Sequence, residues 1–388
     1  MTAFWLAAVG VQPGMTPLLD TAASILTAVY AGVGLVFLAA LVFRQEPTKS
    51  DYRPTVSVIV AAKDEESCIQ ACLSSLRQLS YPAELLEIII VNDRSRDRTP
   101  DIVRQNALAC SLIRLVDAAP VPGMVPGKAS ALAQGVRYSL GEVLLFTDAD
   151  CTVPPDWVQA TLKYYDSERV GIVAGFTVVR PSSLLAALQA LDWLYLFSVG
   201  AAFLKLGIPQ TICGNNFSIR RTAYDAVGGY ENTPFSLTED FALFHRVLSR
   251  TGMIARMPLD RETIVETQPC RDFLDMYRQK LRWLTGGRDM PFFSLLVFGA
   301  CYVFHLSMLI SVLFHNSSLA WLAPATKLLV DLLVVLPAMR RIRRWGLCWG
   351  APLFLVYFTF YVLVYPLIVL ANRGVTWKGQ LYRSGHSR

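Results

Sequence analysis

The chain has 388 residues, enough for one large domain or for two. With 53% hydrophobic residues, 17% charged residues and a mean hydropathy of +0.40, it is more apolar than soluble proteins of this size, which predicts membrane segments. The net charge of +6 is mild, and no stripe of lysine and arginine interleaved with aromatic residues occurs, so nucleic acid is not an expected partner.

The first apolar segment, residues 21–43, contains no charge and is long enough to cross a bilayer. Arg44, Lys49 and Arg53 follow it, whereas no lysine or arginine precedes it. Because a cleaved signal peptide begins with positive charge, we predict an uncleaved anchor within an N-terminal segment of residues 1–50. The positive-inside rule places the residues after the anchor in the cytoplasm.

Strand and helix patterns alternate from residue 54 to about residue 180. The predicted strands are 55–62, 85–91, 111–116 and 142–146, and the predicted helices are 65–79, one that Thr99 caps ahead of Pro100, and 128–139. The strands are apolar on both faces, which predicts an α/β fold with a mostly parallel sheet and helices on both faces. Asp64, Asp93, Asp148 and Asp150 directly follow predicted strands, at the edge where such sheets bind ligands.

A second apolar run, residues 183–208, has the length and composition of a membrane span. A single crossing there would put the acids at 148–150 and those at 238–240 on opposite sides of the membrane, and Asp192 lies within the run. We therefore expect a helix that lies on the membrane surface or is buried in a cytoplasmic domain of residues 51–290.

A C-terminal membrane region, residues 291–388, contains three further apolar stretches at about 291–314, 317–338 and 349–371. The loop RRIRRW between the last two should be cytoplasmic. Lys327 and Asp331 are four residues apart at membrane depth, which favours a structural ion pair over a functional site. Three crossings would put the basic C-terminal tail outside, although its charge is typical of a cytoplasmic segment, so one stretch is a candidate for an interfacial or re-entrant helix.

Eight cysteines occur, with no CxxC pair among them. Cys68 and Cys72 are four residues apart on a predicted helix, but no second cysteine or histidine pair accompanies them. We expect reduced thiols that pack as small apolar groups, as is typical of a cytoplasmic domain.

Three downstream motifs complete the set of candidate functional residues. Thr238-Glu239-Asp240 precedes a predicted helix, and Cys213-Gly214-Asn215-Asn216 precedes the sequence FSIRR. Gln279, Arg282 and Trp283 have the spacing i, i+3 and i+4, which places them on one face of a helix.

Together these motifs resemble the membrane-bound branch of the family 2 glycosyltransferases, which includes cellulose, hyaluronan and chitin synthases and ceramide glucosyltransferases. The resemblance covers residues 54–290 and is carried, in the family's order, by Asp93 in VNDRS, by Asp148-Ala149-Asp150, by Asp240 in TED, and by Gln279-Lys280-Leu281-Arg282-Trp283. The segments AAKDEE and GKASALAQG are also similar to family segments. The resemblance implies a GT-A-type, Rossmann-like domain with transmembrane helices at both ends.

The resemblance also implies roles for these residues. Asp150 would bind Mg²⁺ or Mn²⁺, and Asp148 would hold the nucleotide sugar, with Asp93, Asp64 and Lys128 at the nucleotide. Asp240 would be the general base of an inverting transfer, with capping of the following helix as its alternative role. The acceptor and pyrophosphate side would include Gln279, Arg282, Trp283, Glu239 and Asn215, and His245 is a weaker candidate.

The resemblance implies a nucleotide-sugar donor, with UDP as the family's expected nucleotide, and a lipid or glycan acceptor. About four membrane segments and the tail WKGQLY, which is similar to ceramide-glucosyltransferase-like endings, favour transfer of one sugar to a membrane lipid. A processive polysaccharide synthase is the alternative, and a catalytically inactive membrane-anchored binding protein is a third hypothesis. We expect a multi-pass protein of a bacterial-type inner or plasma membrane; the sequence predicts neither the sugar nor the oligomeric state.

Overall fold

The computed structural model describes residues 16–43, 52–121, 123–124, 127–286, 292–314, 318–371, 374–377 and 380–383. The chain forms two compact units. The helical unit comprises Met1–Phe43 and Leu274–Ser384, and the α/β unit comprises Arg44–Phe273 and Gly385–Arg388. The structure does not describe residues 1–15, Arg44 or Lys49, which the prediction of the N-terminal anchor used.

The α/β unit contains a seven-stranded central sheet and a three-stranded sheet. The strands are β1 (Val56–Ala62), β2 (Leu86–Asn92), β3 (Ile113–Asp117), β4 (Val143–Asp148), β5 (Cys151–Thr152), β6 (Val170–Ala174), β7 (Thr177–Val179), β8 (Asn216–Arg220), β9 (Ile254–Arg256) and β10 (Val265–Thr267). The central order is β3-β2-β1-β4-β8-β6-β9, and β8 runs antiparallel to both of its neighbours while the other pairs are parallel. The predicted mostly parallel α/β sheet is confirmed.

The helices, in chain order, belong to both units. They are α1 (Thr16–Val42), α2 (Ile69–Leu76), α3 (Thr99–Ala109), α4 (Lys128–Arg137), α5 (Trp157–Leu162), α6 (Leu184–Lys205), α7 (Arg221–Ala226), α8 (Glu239–Thr251), α9 (Phe273–Gly286), α10 (Phe292–Phe314), α11 (Leu322–Ile342) and α12 (Ala351–Ala371). Alternate strand residues face opposite layers, because side chains have a period of two along a strand. Val58 packs in the layer of α2, α3 and α5, whereas Ile59 packs in the layer of α4, α7 and α8.

Two helix starts differ from the prediction. The helix expected from residue 65 begins at Ile69, because the amides of Cys68 and Ile69 both donate to the Glu65 carbonyl and form a turn first. Thr99 was expected to cap α3 but is its first residue, and the carboxylate of Asp97 accepts the Thr99 amide at 3.0 Å. The N-cap residue is therefore Arg98, and the side chain of Asp97 before it bonds the first amide of the helix.

Five described helices are long and apolar enough to cross a membrane. They are α1 from Asp20, α6, α10, α11, and α12 together with the short helix before it. In α6, 72% of the most apolar 18-residue stretch is buried, whereas in the other four helices the corresponding share is 22–44%. Ser183 caps α6 by accepting the Ala186 amide at 3.1 Å. Helix α6 is therefore packed inside the α/β unit to an extent that the other four are not, in line with one of its two expected placements.

A polar group connects helices within the helical unit. Lys327 and Asp331, both on α11, form the predicted ion pair, and Tyr30 on α1 donates to Asp331 at 2.5 Å. The Lys327 ammonium lies 4.9 Å from the ring centroid of Phe358 on α12. The C-terminal segments Gly374–Trp377 (β11) and Gln380–Arg383 (β12) pair as an antiparallel ribbon.

Candidate active site

The sheet topology brings the predicted acids to one edge. Strands β1 and β4 are parallel neighbours, with Ala61 opposite Asp148, and Asp93 follows the last residue of β2. Because β8 is antiparallel to β4, its first residue, Asn216, lies opposite Thr147 and brings the preceding loop to the same edge. The carboxyl ends of the parallel strands and the start of β8 thus form the ligand-binding edge expected for this sheet.

Lys128, the first residue of α4, joins two carboxylates at that edge. Its ammonium lies 2.6 Å from Asp148 Oδ1 and 3.3 Å from Glu239 Oε1, and we call these three residues the Lys128 cluster. Burial acts to lower the pKa of Lys128, but the charges of Asp148, Glu239 and Asp240 outweigh it and raise the pKa, so the ammonium stays protonated. Glu239, predicted on the acceptor side, therefore contacts Lys128, which is predicted on the donor side.

Asp150 lies in the turn between β4 and β5, and it is half-buried. Strand β5 pairs with β10 through Cys151 and Thr267, and this pairing holds the chain directly after Asp150 in place. Burial, together with the charges of Asp148 and Glu65, raises the pKa of Asp150 to about 6. Burial and two neighbouring carboxylates thus both disfavour the ionised form of Asp150, and a bound cation would stabilise that form.

Asp150 offers carboxylate oxygens, which suit a hard divalent cation, and the Cys151 thiol donates to its Oδ1 at 3.3 Å. No group of three histidine, cysteine, aspartate or glutamate side chains that could hold a metal occurs among the described residues. Magnesium and similar ions in such sites bind one or two carboxylates and complete their coordination with water and substrate phosphate oxygens. Asp150 therefore fits a metal that is held jointly with a phosphate-bearing ligand.

Asp240, in the first turn of α8, packs against the loop before β8. A β-carbon added at Gly214 would lie 2.7 Å from Asp240 Oδ2 and 2.9 Å from its carboxyl carbon. Asp240 Oδ1 accepts the amide of Phe241 at 2.9 Å. The carboxylate therefore accepts an amide within the first turn of α8, whose N-cap residue is Thr238, and it rests on Gly214, where only glycine leaves enough room.

The two asparagines after Gly214 support this loop. The buried Asn215 Oδ1 accepts the hydroxyl of Thr177 at 2.6 Å and the thiol of Cys213 at 2.9 Å. The amide group of Asn216 donates to two carbonyls and accepts the indole N–H of Trp157 at 3.0 Å. The described contacts of Asn215, a predicted acceptor-side residue, are those of a loop support.

Asp93 and Asp64 have different surroundings. Asp93 is buried and paired with Arg94, whose Nη2 lies 2.6 Å from Oδ1. Asp64 is exposed, and its Oδ1 accepts the Arg96 amide at 2.7 Å, which connects the turn after β1 to the turn after β2. Asp64 and Arg94 have φ values of 53° and 58°, so both turns are tight. The structure thus assigns Asp64 a turn contact and does not bring it into the Lys128 cluster.

Helix α9 carries Gln279, Arg282 and Trp283 at the predicted helical spacing. Within the helical unit, the buried Lys280 ammonium lies 4.6 Å from the Trp283 ring centroid and 4.9 Å from that of Tyr361 on α12. These are cation–π distances, and they connect the indole through Lys280 to α12.

Sequence reasoning missed several residues of the site. Glu65 adds its charge at Asp150, Arg94 pairs with Asp93, Gly214 makes room for Asp240, and Lys280 supports Trp283. Each lies within or beside a motif quoted above, and that proximity was the available signal. His245 Nε2 donates to the Gln210 carbonyl at 3.2 Å, and burial lowers the pKa of the imidazole, so it packs as a neutral ring. All eight cysteines are free thiols.

Comparison with known proteins identifies two matching family models. The model described as glycosyl transferase family 2 matches residues 57–228. The model described as glycosyl transferase family group 2 matches residues 143–372, which is 230 of the 388 residues.

Similar curated proteins include three from bacteria. A probable glycosyltransferase YdaM of Bacillus subtilis is 33% identical over 242 residues, covering 61% of this chain and 56% of that protein. A beta-monoglucosyldiacylglycerol synthase of Synechocystis is 28% identical, covering 60% and 48%. A poly-beta-1,6-N-acetyl-D-glucosamine synthase of Staphylococcus epidermidis is 26% identical, covering 61% and 55%. The matches thus span about half the length of these relatives.

Among solved structures, the mannosyltransferase PcManGT from Pyrobaculum calidifontis, in complex with GDP-Man and Mn²⁺, is similar with a TM-score of 0.57. It is 21% identical, and the alignment covers 91% of this chain and 99% of that one. This likeness shows a shared fold along most of the chain.

Proposed function

The chain belongs to glycosyltransferase family 2, and we propose that it is an inverting hexosyltransferase that moves a sugar from a nucleotide-sugar donor to a hydroxyl group of a membrane lipid. The observation that carries the proposal is the meeting of Lys128, Asp148 and Glu239 at one sheet edge, with Asp150 and Asp240 on adjoining turns. In this proposal residues 51–290 form the cytoplasmic glycosyltransferase domain, with membrane segments before and after it.

The donor's diphosphate would lie near Asp150, and its nucleoside would lie toward Asp93, with Asp64 at the adjoining turn. Lys128 holds Asp148 at 2.6 Å and so fixes the carboxylate that contacts the donor sugar. A Mg²⁺ or Mn²⁺ ion, held by Asp150 and donor phosphate oxygens, would supply charge stabilisation for the departing nucleoside diphosphate. The Mn²⁺ in the similar mannosyltransferase supports a divalent ion of this kind.

Asp240 acts as the general base. Its carboxylate takes the proton of the acceptor hydroxyl while that oxygen attacks the anomeric carbon from the face opposite the diphosphate. The bond from the anomeric carbon to the diphosphate oxygen breaks, and the configuration inverts, so an α-linked donor gives a β-linked product. Arg282 contacts the diphosphate and Trp283 packs on the acceptor, with Gln279 beside them on α9.

A lipid acceptor is favoured by the apolar helices and by the relatives. Five helices have the length and composition of membrane spans, and a similar cyanobacterial protein is named for a glucosyldiacylglycerol product. Processive polymer synthesis is the second candidate, because a similar staphylococcal protein is named as a polysaccharide synthase. The basic loop at Arg340–Arg344 supports a cytoplasmic site, by the positive-inside rule.

The test uses membranes containing the full chain, labelled nucleotide sugars and a lipid extract. We expect one labelled sugar on a lipid, and Asp240→Asn should lower the transfer rate by about 10²–10⁴-fold, since it removes the base. Asp225→Asn, at an exposed carboxylate on α7, is the matched control and should keep the wild-type rate.

Three outcomes contradict parts of the proposal. Wild-type rates in Asp240→Asn would mean that another group is the base. A ladder of products would favour the processive synthase. Absence of any nucleotide-sugar turnover across the common donors would favour a binding protein.

A further inference from the structure

Residues 340–350, the last turn of α11 together with the connection to α12, form a structured segment that is both basic and aromatic, and we call it the basic loop. It contains Arg340, Arg341, Arg343 and Arg344, and then Trp345 and Trp349. Arg340 and Arg343 are exposed, and Trp345 and Trp349 are 50% and 91% exposed.

Contacts with α11 hold the basic loop in place. Arg343 ends α11 in a left-handed conformation with φ of 56°, and the Arg344 amide donates to the Met339 carbonyl at 3.1 Å. Leu347 is buried, and the Cys348 thiol lies 3.5 Å from the sulfur of Met339. A short 3₁₀ helix, Trp345–Gly350, follows this turn. The arginines and tryptophans are therefore displayed on a fixed turn.

The opposite end of α11 provides an internal comparison. At about 1.5 Å per residue, its 21 residues span about 32 Å, close to the thickness of a bilayer's hydrocarbon core. Both ends carry exposed tryptophan, since Trp321 is 64% exposed, as interfacial anchoring requires. The turn Ser318–Trp321, however, contains no charged residue. The arginines at the other end thus exceed what anchoring by aromatic residues needs.

The stretch of sequence that contains the basic loop is rich in basic residues and contains no acidic residue. Residues 332–388 include eight lysine and arginine residues and not one aspartate or glutamate. Guanidinium groups bind phosphate oxygens in pairs of parallel hydrogen bonds, and clusters of basic residues beside a membrane helix attract anionic lipids. Indole rings beside them lie at headgroup depth.

We propose that the basic loop is a binding surface for the phosphate headgroups of anionic phospholipids. The arginines contact the headgroups of the leaflet that α11 and α12 enter, and Trp345 and Trp349 insert between them. The surface belongs to the helical unit and acts without a donor or an acceptor, so its existence does not depend on the proposed transfer reaction.

The experiment measures lipid retention by the full chain, without substrates. The protein is reconstituted in nanodiscs of phosphatidylcholine mixed with phosphatidylglycerol, released into mild detergent, and examined by native mass spectrometry for the lipids that remain bound. Wild type should retain phosphatidylglycerol in preference to phosphatidylcholine. Arg340→Gln combined with Arg343→Gln should reduce that preference by roughly 25-fold, since each arginine near an anionic surface contributes about fivefold.

Two further variants keep the result interpretable. Arg104→Gln combined with Arg180→Gln removes the same charge from exposed positions of the α/β unit and should leave the preference unchanged. Arg340→Lys combined with Arg343→Lys keeps the charge but not the paired hydrogen bonds, and should give an intermediate preference.

Equal retention by wild type and the Arg340→Gln, Arg343→Gln variant would overturn the proposal. An equal loss in the Arg104→Gln, Arg180→Gln variant would also overturn it, because the effect would then be one of net charge. Displacement of phosphatidylglycerol by millimolar inorganic phosphate would show a site for free phosphate instead of a lipid surface.

Discussion

Two lysines, one in each unit, pair with aspartate in very different settings. Lys327 is fully buried on α11 with Asp331, which also accepts from Tyr30, so one positive charge meets one negative charge. Lys128 meets Asp148 and Glu239 together, and Asp240 contributes to its electrostatic environment. The balanced pair of Lys327 and Asp331 connects helices α1 and α11. In the Lys128 cluster, carboxylates outnumber the lysine, so negative charge remains beside Asp150, where a cation would bind.

Surroundings explain why the two clusters should respond differently to mutation. Lys327 and Asp331 are buried, so removal of one partner leaves a charge that water cannot easily compensate. Side chains of the Lys128 cluster retain 10–29% of their exposure, so water screens them in part. We expect substitutions in the Lys327–Asp331 pair to reduce stability and substitutions in the Lys128 cluster to reduce activity.

The largest effect is expected for Lys327→Met, which should lower the free energy of unfolding by about 3–5 kcal/mol, because Asp331 becomes an uncompensated buried charge. Thermal unfolding of the purified protein in detergent measures this. Combining it with Asp331→Leu should recover most of the loss, since a buried pair replaced by apolar residues is often neutral. Lys163→Met, at an exposed lysine, is the control; an equal loss there would contradict a structural role for the pair.

Lys128→Met should lower kcat/KM by about 100-fold, which corresponds to about 2.7 kcal/mol of transition-state stabilisation. The reason is that Asp148 and Glu239 lose the ammonium that holds them. The same variant should shift the unfolding midpoint much less than Lys327→Met does, because its cluster is partly solvated. Lys128→Arg keeps the charge and should retain part of the activity. If Lys128→Met loses stability but keeps kcat/KM, the two clusters do not differ as proposed.

Gly214→Ala should lower kcat by roughly tenfold, because the added β-carbon displaces the Asp240 carboxylate and small misplacements of a base are costly. Rates at saturating donor and acceptor measure the effect. The control is Gly299→Ala, since a β-carbon there meets no atom within 4 Å. An unchanged kcat in Gly214→Ala would show that Asp240 does not need its present position.

Most of the central fold and the positions of the acids could be predicted from sequence. The first four strands are continuous apolar runs, and such runs followed by aspartate indicate the ligand edge of a parallel sheet. Strands β6 to β9 were harder to predict, because β8 runs antiparallel and β9 has only three residues. The neighbour of a strand depends on tertiary packing and not on local pattern.

Partners across the sheet were the part of the site that local sequence could not provide. Lys128 and Glu239 are 111 positions apart, and only the insertion of β8 beside β4 brings α8 to α4. Lys280 shows the same limit within the helical unit, because its position under Trp283 depends on Tyr361 from a distant helix. Motif spacing thus identified chemical groups, and the sheet and helix packing decided which of them meet.

The smallest effect is expected for a substitution of Asp150, and it tests whether Asp150, beside the Lys128 cluster, is a cation-binding residue. Its pKa is raised to about 6 in the folded protein, above that of an unfolded aspartate, so the folded state favours the protonated form. This stabilising contribution is present at low pH and is lost as pH rises through about 6. Asp150→Asn should therefore raise the stability of the metal-free protein at pH 7 by about 1 kcal/mol, a value reduced for solvent screening.

At pH 7, Mn²⁺ should make wild type more stable than Asp150→Asn, the reverse of the order expected without metal. It should stabilise wild type, whose ionised Asp150 binds it when donor diphosphate is present, and should have little effect on Asp150→Asn. Thermal unfolding with nucleoside diphosphate, with and without Mn²⁺ and at pH 5 and pH 7, measures both effects. Lys327→Met is the control background, since its defect should not depend on Mn²⁺. If Asp150→Asn were instead destabilising without metal at pH 7, the carboxylate would be a structural group like Asp331, and the contrast between the two clusters would fail.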